Sequence, residues 1–227
     1  MSAPTVHVVI VNMTGKPKAP IQCLVSVDNQ QYAGEVISEM IPYAPGDSGG
    51  TFLSVAQSWL RKKAQFGCVI TTSCSMAPSR LVDQVALCLK DNLSACYGDS
   101  VDMTSNGVVL ARDQYREFNA EMIGLETIPP EVMMFDLHKF REAGGFDHML
   151  AGSHKPDAYL VAMAAVGGRI KRLPQIVLHR AVGAGRYGEG GSSPLAWHDE
   201  ESEDFWQRFH IDRFVHQACE HYRSMGW

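Results

Sequence analysis

Residues Arg141–Arg180 read REAGGFDHMLAGSHKPDAYLVAMAAVGGRIKRLPQIVLHR, and this stretch decides the fold class. A strand, Val132–Leu137, leads toward the turn Gly144-Gly145-Phe146-Asp147, marked by its paired glycines. A helix over Pro156–Val166 carries one acid, Asp157, and stops at Gly167-Gly168, the residue type that ends helices in a left-handed cap. Ile176–Arg180 then returns as a strand. A β-turn-α-β succession of this kind belongs to a layered α/β domain.

The N-terminal half repeats the same rhythm. Val6–Val11 (VHVVIV) is a continuous β-branched run, the pattern of a strand buried on both faces of a parallel sheet. Ile21–Asn29 reads as a helix and Glu35–Ile41 as the next strand. Tyr43–Gly50 is a loop by its Pro and Gly content, and Phe52–Gln65 is a helix with Phe52, Val55, Ala56, Trp59 and Leu60 at helical spacing. Cys68–Thr72 is a third strand, Pro78 opens a further helix, and Ser94–Met103 is a fourth strand. The expected fold is α/β: one Rossmann-type domain with a mixed, mainly parallel central sheet flanked by helices. Beyond it lie a Gly-rich loop, 181–194, and a terminal helix opened by the acidic run Asp199–Asp204.

Composition narrows the function classes. The 227 residues are 45% hydrophobic and 20% charged, enough to bury a full core. Net charge is −5 with no long Lys/Arg run, which gives no support to a nucleic-acid binder. No apolar run reaches the length that spans a bilayer, and the N-terminus enters a strand without the charged region of a signal peptide. The six cysteines have no C-x-x-C spacing and sit mostly in apolar runs, so reduced thiols in a cytoplasmic protein are expected. The histidines of the terminal segment lack the H-E-x-x-H arrangement, and no G-x-S-x-G elbow or G-x-x-x-x-G-K loop is present.

Taken in order, the motifs carry a resemblance. VHVVIVNMTGKP, SVDNQQY and GEVISEM follow the V-S-V-V-I-P-x-Y-N, S-x-x-x-Q-x-Y and E-V-I-V-V-D elements of the family 2 nucleotide-sugar glycosyltransferases, of GT-A fold. The family's L-D-x-D-D-x-x-x-P-x-x-L aligns without a gap on Ile70–Leu81, ITTSCSMAPSRL, and HKFREAGGFDHM and HKPDAYLVAMAAVGGRI resemble its later elements. The likeness covers about Val6 to Arg180. It implies a GT-A-like domain in which 1–103 form the nucleotide-sugar-binding half, 104–180 the acceptor and catalytic half, and 181–227 the loop and terminal helix.

The departures matter chemically. The acid that ends the family's second strand and holds the donor's uracil or ribose falls on Met40, with Glu39 beside it. The D-x-D acids that hold a divalent cation fall on Thr71, Ser73 and Cys74, and hard cations want carboxylate oxygens, which these do not offer. The resemblance implies a donor site from Val11, Asn12, Glu39, Thr71, Thr72 and Ser73, with Asp99 available to ribose and Arg180 and Arg186 to phosphate. It implies a catalytic base at Asp157, within one residue of the family's E-D pair, although Lys155 and Pro156 replace the expected acids. It leaves open a Mn²⁺ or Mg²⁺ ion held atypically by Asp99, Asp102 and His179.

The expected activity is inverting transfer from a nucleotide-sugar donor to an acceptor hydroxyl, with atypical or absent metal dependence. The acceptor is open among saccharide, protein and modified nucleic acid, and a homo-oligomer is compatible with the aromatic face of the terminal segment. The alternative is a glycosyltransferase-like binding or scaffold protein, catalytically silent after losing the donor acids.

Overall fold

The structure, a computed structural model, describes residues 3–14, 21–43, 48–104, 106–120, 122–125, 128–144, 156–181 and 216–226. Its strands are β1 (Val6–Asn12), β2 (Val36–Pro42), β3 (Phe66–Thr71), β4 (Cys74–Met76), β5 (Ala95–Met103), β6 (Val109–Asp113), β7 (Met133–Asp136) and β8 (Ile170–Ala181). Its helices are α1 (Ile21–Asp28), α2 (Ser48–Arg61), α3 (Arg80–Asp91), α4 (Met122–Leu125), α5 (Leu137–Glu142) and α6 (Pro156–Gly167), and a last helix covers 216–224. The strands form one sheet in the order β2-β1-β3-β7-β5-β8-β4, with β6 attached to β5. β1, β2, β3, β5 and β8 run one way, and β4, β6 and β7 oppose them. The architecture is that of a single Rossmann-like α/β domain, as the sequence rhythm implies.

The sheet's centre is dry. All of β1 and β3 is buried, as their β-branched and apolar runs require. α2, α5 and α6 pack together on one face, where Trp59 lies over Gly67 and meets Phe135 and Phe140 at ring separations of 5.5 and 6.5 Å. α1 and α3 cover the other face and meet where Gln30 donates to the Ala77 carbonyl and accepts from the Leu81 amide. There the fully buried Arg80 donates from Nε to Gln84 and from Nη2 to the Met133 carbonyl, while Gln84 donates to the Val132 carbonyl. These bonds tie α3 to the start of β7 out of reach of bulk solvent. Five of the six cysteines are buried, and all six are free thiols.

Several elements differ from expectation. Asp136 ends β7 because its Oδ1 accepts the His138 and Lys139 amides, so the approach to the Gly-Gly-Phe-Asp turn is the short helix α5 rather than a strand. The Gly145–Asp147 part of that turn lies outside the described residues. α2 begins at Ser48, inside the expected Tyr43–Gly50 loop. β8 begins at Ile170 rather than Ile176, since its register against β5 passes from Leu173 to Ile176 and Pro174 falls in that irregularity, where no ladder N–H is needed. β4 and β6 were not expected as strands. Leu160, Met163 and Ala164, at helical spacing, anchor α6, and the whole run Leu160–Ala165 is buried, so the middle of this helix is enclosed on all sides.

Gly98 faces the β8 irregularity. A Cβ there would stand 2.3 Å from Val177 and 2.8 Å from the Gln175 carbonyl oxygen, and the second cannot rotate away. Gly98→Ala is expected to lower stability by about 1–3 kcal/mol, the usual cost of overpacking, read as a lower urea midpoint with an unchanged slope.

Candidate functional site

Because the five co-directional strands end on one edge, that edge gathers the polar residues of the sequence reading, as open α/β sheets do at their ligand sites. The ends of β1 and β3 are stitched together there. The Thr72 amide donates to the Val11 carbonyl at 3.0 Å, and the Met13 amide donates to Thr72 Oγ1 at 3.0 Å. Asn12 Oδ1 accepts from the amide and the hydroxyl of Thr14, at 3.1 and 2.8 Å. Just beyond, Thr71 Oγ1 shares hydrogen bonds with Ser73 Oγ at 2.8 Å and Cys74 Sγ at 3.2 Å. Val11 and Thr71 are wholly buried and Asn12 and Thr72 nearly so, while Met13 and Ser73 are half-buried and Thr14 is exposed at this edge.

β8 closes the site from the far side. Its pairing with β4 sets Arg180 opposite Cys74, and the Ala181 amide donates to the Ser73 carbonyl at 3.1 Å. The Arg180 guanidinium donates from Nε to Asp102 Oδ1 at 2.7 Å and from Nη2 to Asp113 Oδ2. Ser100 Oγ donates to the same Asp113 oxygen at 3.4 Å. Burial pushes the Cys74 thiol up, so it stays protonated at neutral pH and packs as a small polar filler.

Asp99 belongs to a different network. It is inaccessible to water and accepts from Arg172 at 2.9–3.2 Å, from Arg112 Nη2 at 3.1 Å and from the Tyr115 amide at 3.4 Å. Adjacent residues of β6, Arg112 and Asp113, thus serve separate networks, as the alternation of side chains along a strand requires. His179 pairs in register with Ser75 and Val101, one position out of phase with Arg180, and therefore projects to the opposite face from it. Its imidazole is held below the ordinary value by burial.

Glu39 lies three residues before the end of β2, not at the strand end, and is drawn beneath α2. Ser58 donates to its Oε2 at 2.7 Å and Arg61 to its Oε1 at 3.0 Å. Those contacts, the Ser58 bond foremost, hold its carboxyl below the usual range. Asp157 is in the first turn of α6, but its side chain lies outside what is described, as do Arg186 and all of 182–215. α6 ends next to Arg169, whose carbonyl accepts from the Ser94 amide at the opposite edge, and its twelve residues run about 18 Å away from there. Asp113, Arg112 and Arg172 were not foreseen, because neither β6 nor the first half of β8 shows a strand pattern.

No protein-family model matches the sequence, and no curated protein is a significant match. Solved structures do match. S. aureus TarS 1–349 in complex with UDP-GlcNAc aligns with a TM-score of 0.64 at 13% identity, over 93% of this chain and 66% of that one. The same fragment in complex with UDP gives 0.60 at 12% identity, over 93% and 64%, and S. aureus TarS gives 0.56 at 14%, over 78% and 36%. TarS is a GT-A-like glycosyltransferase. The fold of this chain is glycosyltransferase-like. The chain spans about two-thirds of the length of the 1–349 fragments.

A divalent cation, implied by the resemblance, finds no matching donor set among the described residues. Thr71, Ser73 and Cys74 offer hydroxyls and a protonated thiol, Asp99 is filled by Arg172 and Arg112, and the guanidinium of Arg180 stands between Asp102 and Asp113. No three His, Cys, Asp or Glu side chains of the described residues come together as a metal site. No helix among them is long and apolar enough to cross a membrane.

His7, behind Glu39, is fully buried, and neither ring nitrogen has a hydrogen bond among the described residues. Glu39 Oε2 is 3.8 Å from Nε2, too far for one. Burial lowers the His7 pKa to about 4, with Arg61 and Lys62 adding to it and Glu39 opposing it. The folded value is below the unfolded one, near 6.5, so the unfolded chain takes up the proton first. Stability should therefore be intact above about pH 6.5 and fall by roughly 2–3 kcal/mol as pH drops toward about 4. Urea unfolding at pH 7, 6 and 5 checks this: His7→Leu should flatten the slope, leaving the part of the same sign due to His179, whereas the Glu39 carboxylate contributes only below about pH 4.5.

Proposed function

We propose that this protein is a family 2-like glycosyltransferase that moves a sugar from a nucleoside diphosphate donor to an acceptor hydroxyl, with inversion. The observation that carries the reading is the convergence of Asn12, Thr72, Ser73 and Arg180 on one strand-end edge of a glycosyltransferase-like fold. In this reading Asn12 and Ser73 meet the nucleoside and phosphates, with the sealed Thr71 holding Ser73 in place, and TarS, whose structures hold UDP and UDP-GlcNAc, supplies the first donors to try. Glu39, bound by Ser58 and Arg61, shapes the floor beneath α2 rather than touching the donor. Asp157 acts as the base that removes the proton of the acceptor hydroxyl as it attacks the anomeric carbon.

The silent-scaffold alternative has its own observation: the D-x-D acids are replaced, and the replacing Thr71 is sealed in the core. The two readings separate on turnover. In a screen of UDP- and GDP-sugars, the wild-type chain should release nucleoside diphosphate in the presence of acceptor. Asp157→Asn should lower that rate by about 10²–10⁴-fold while UDP affinity, measured by calorimetry, barely changes. Wild-type-like turnover in Asp157→Asn removes this base, and nucleotide binding without turnover by the wild-type chain selects the scaffold.

A further inference from the structure

The two carboxylates on Arg180 differ in kind. Asp102 is its direct neighbour across the β5–β8 ladder, holds Nε at 2.7 Å and has a side chain 24% exposed. Asp113 reaches Nη2 from β6, which pairs only with β5 among the described residues, and its side chain is 45% exposed. The arginine side chain is 9% exposed and, through the Cys74–Arg180 pairing, stands beside the Thr71–Ser73 cluster. One acid is a built-in orienting partner. The other is a half-solvated oxyanion on the outward end of a fork-shaped donor.

We propose that Arg180 is the cationic ligand of the donor diphosphate, oriented by Asp102, and that Asp113 occupies the phosphate's place until the donor displaces it. This rests on the nucleotide-donor reading above and adds how the charge is met. A guanidinium accepts carboxylate and phosphate oxygens in the same bidentate geometry, so the exchange is one oxyanion for another. With Asp113 in place, the single positive charge is shared between two negative ones, and no surplus faces an incoming diphosphate. With Asp113 turned to solvent, the local balance rises from net negative to neutral and Nη2 is presented to the incoming oxyanion. The half-exposed carboxylate exchanges its contacts with Arg180 and Ser100 for water, and the phosphate replaces it on the guanidinium. The same guanidinium fills the space between the two acids that a divalent cation would need, so the donor binds without one.

The test is calorimetric titration of UDP, with GDP as a second probe, in EDTA and in Mn²⁺, with folding checked by circular dichroism and melting. Wild-type protein should bind equally in both buffers. Asp113→Asn, which keeps the shape and removes the competing charge, should bind UDP about three- to tenfold tighter. Arg180→Gln should bind at least tenfold more weakly, and Asp102→Asn should also weaken binding. Asp113→Asn binding no tighter than wild type overturns the proposal, as does wild-type binding that needs Mn²⁺; either result leaves the donor reading standing. Absence of binding by the wild-type chain in both buffers removes the donor reading and this assignment together. Should Arg180→Gln not fold, the Asp113→Asn comparison decides, because that change is isosteric and on a half-exposed side chain.

Discussion

The strand-end edge depends on the buried ion pair between Asp99 and Arg172. A carboxylate shut away from water is tolerable only when its oxygens are met by charged donors, and here Arg172 supplies three of the contacts and Arg112 a fourth. Arg172 is on β8, Asp99 on β5 and Arg112 on β6, so one anion fixes three strands to one another. It does so next to the irregularity where β8 skips past Pro174, the place where the ladder itself is weakest. Once β8 is held in that register, Arg180 has no choice but to lie across from Asp102 and beside Cys74. The later polar contacts are consequences of where this one charge is buried.

The replacement of acids by Thr71, Ser73 and Cys74 has a related logic. A carboxylate at the sealed position of Thr71 would carry a full charge into the core and demand a counter-ion. A hydroxyl is content with Ser73 and Cys74, because it can donate and accept within the cluster. Short polar side chains therefore let the ends of β3 and β4 pack closely with no ion present, and the Ala181 amide can reach the Ser73 carbonyl. The charge at this edge has moved from the β3–β4 turn to the β5–β6–β8 corner.

Much of the fold was legible in the sequence, for a physical reason. β1, β3 and β5 lie within the sheet, and burial on both faces leaves continuous apolar runs such as VHVVIV. β2, at the sheet's edge, is legible from its position between the turn at Gly34 and the Pro-rich segment after it. The elements missed are those that burial does not mark. β4 is three residues long, and β6 is exposed along nearly all its length, so neither has a pattern to read. The first half of β8 was hidden by Lys171, Arg172 and Pro174, residues that argue against a strand until the irregularity and the Asp99 network are known. At the site, Asn12, Asp102 and Arg180 could be picked out by type and position. Their partners could not, because Arg180 meets Asp102 and Asp113 across separations of 78 and 67 residues. Spacing along the chain says nothing about such meetings.

The assignment of Arg112 to one network and Asp113 to the other makes the register of the β5–β6 hairpin an electrostatic matter. Its turn is pinned by the Thr104 amide donating to the Val108 carbonyl, by the Val108 amide on Thr104 Oγ1, and by Gly107 at a φ of +81°. Adding or removing one residue there would slide β6 by a single step and turn every side chain to the other face. Removing one would bring Asp113 to the place of Arg112, against Asp99, and adding one would bring Arg112 to the place of Asp113, against Arg180, so either slide sets like charge on like. A slide of two would restore the faces but carry both side chains about 7 Å along the strand, away from their partners. The register of this hairpin is thus held by electrostatics on a strand that contributes almost nothing to the core.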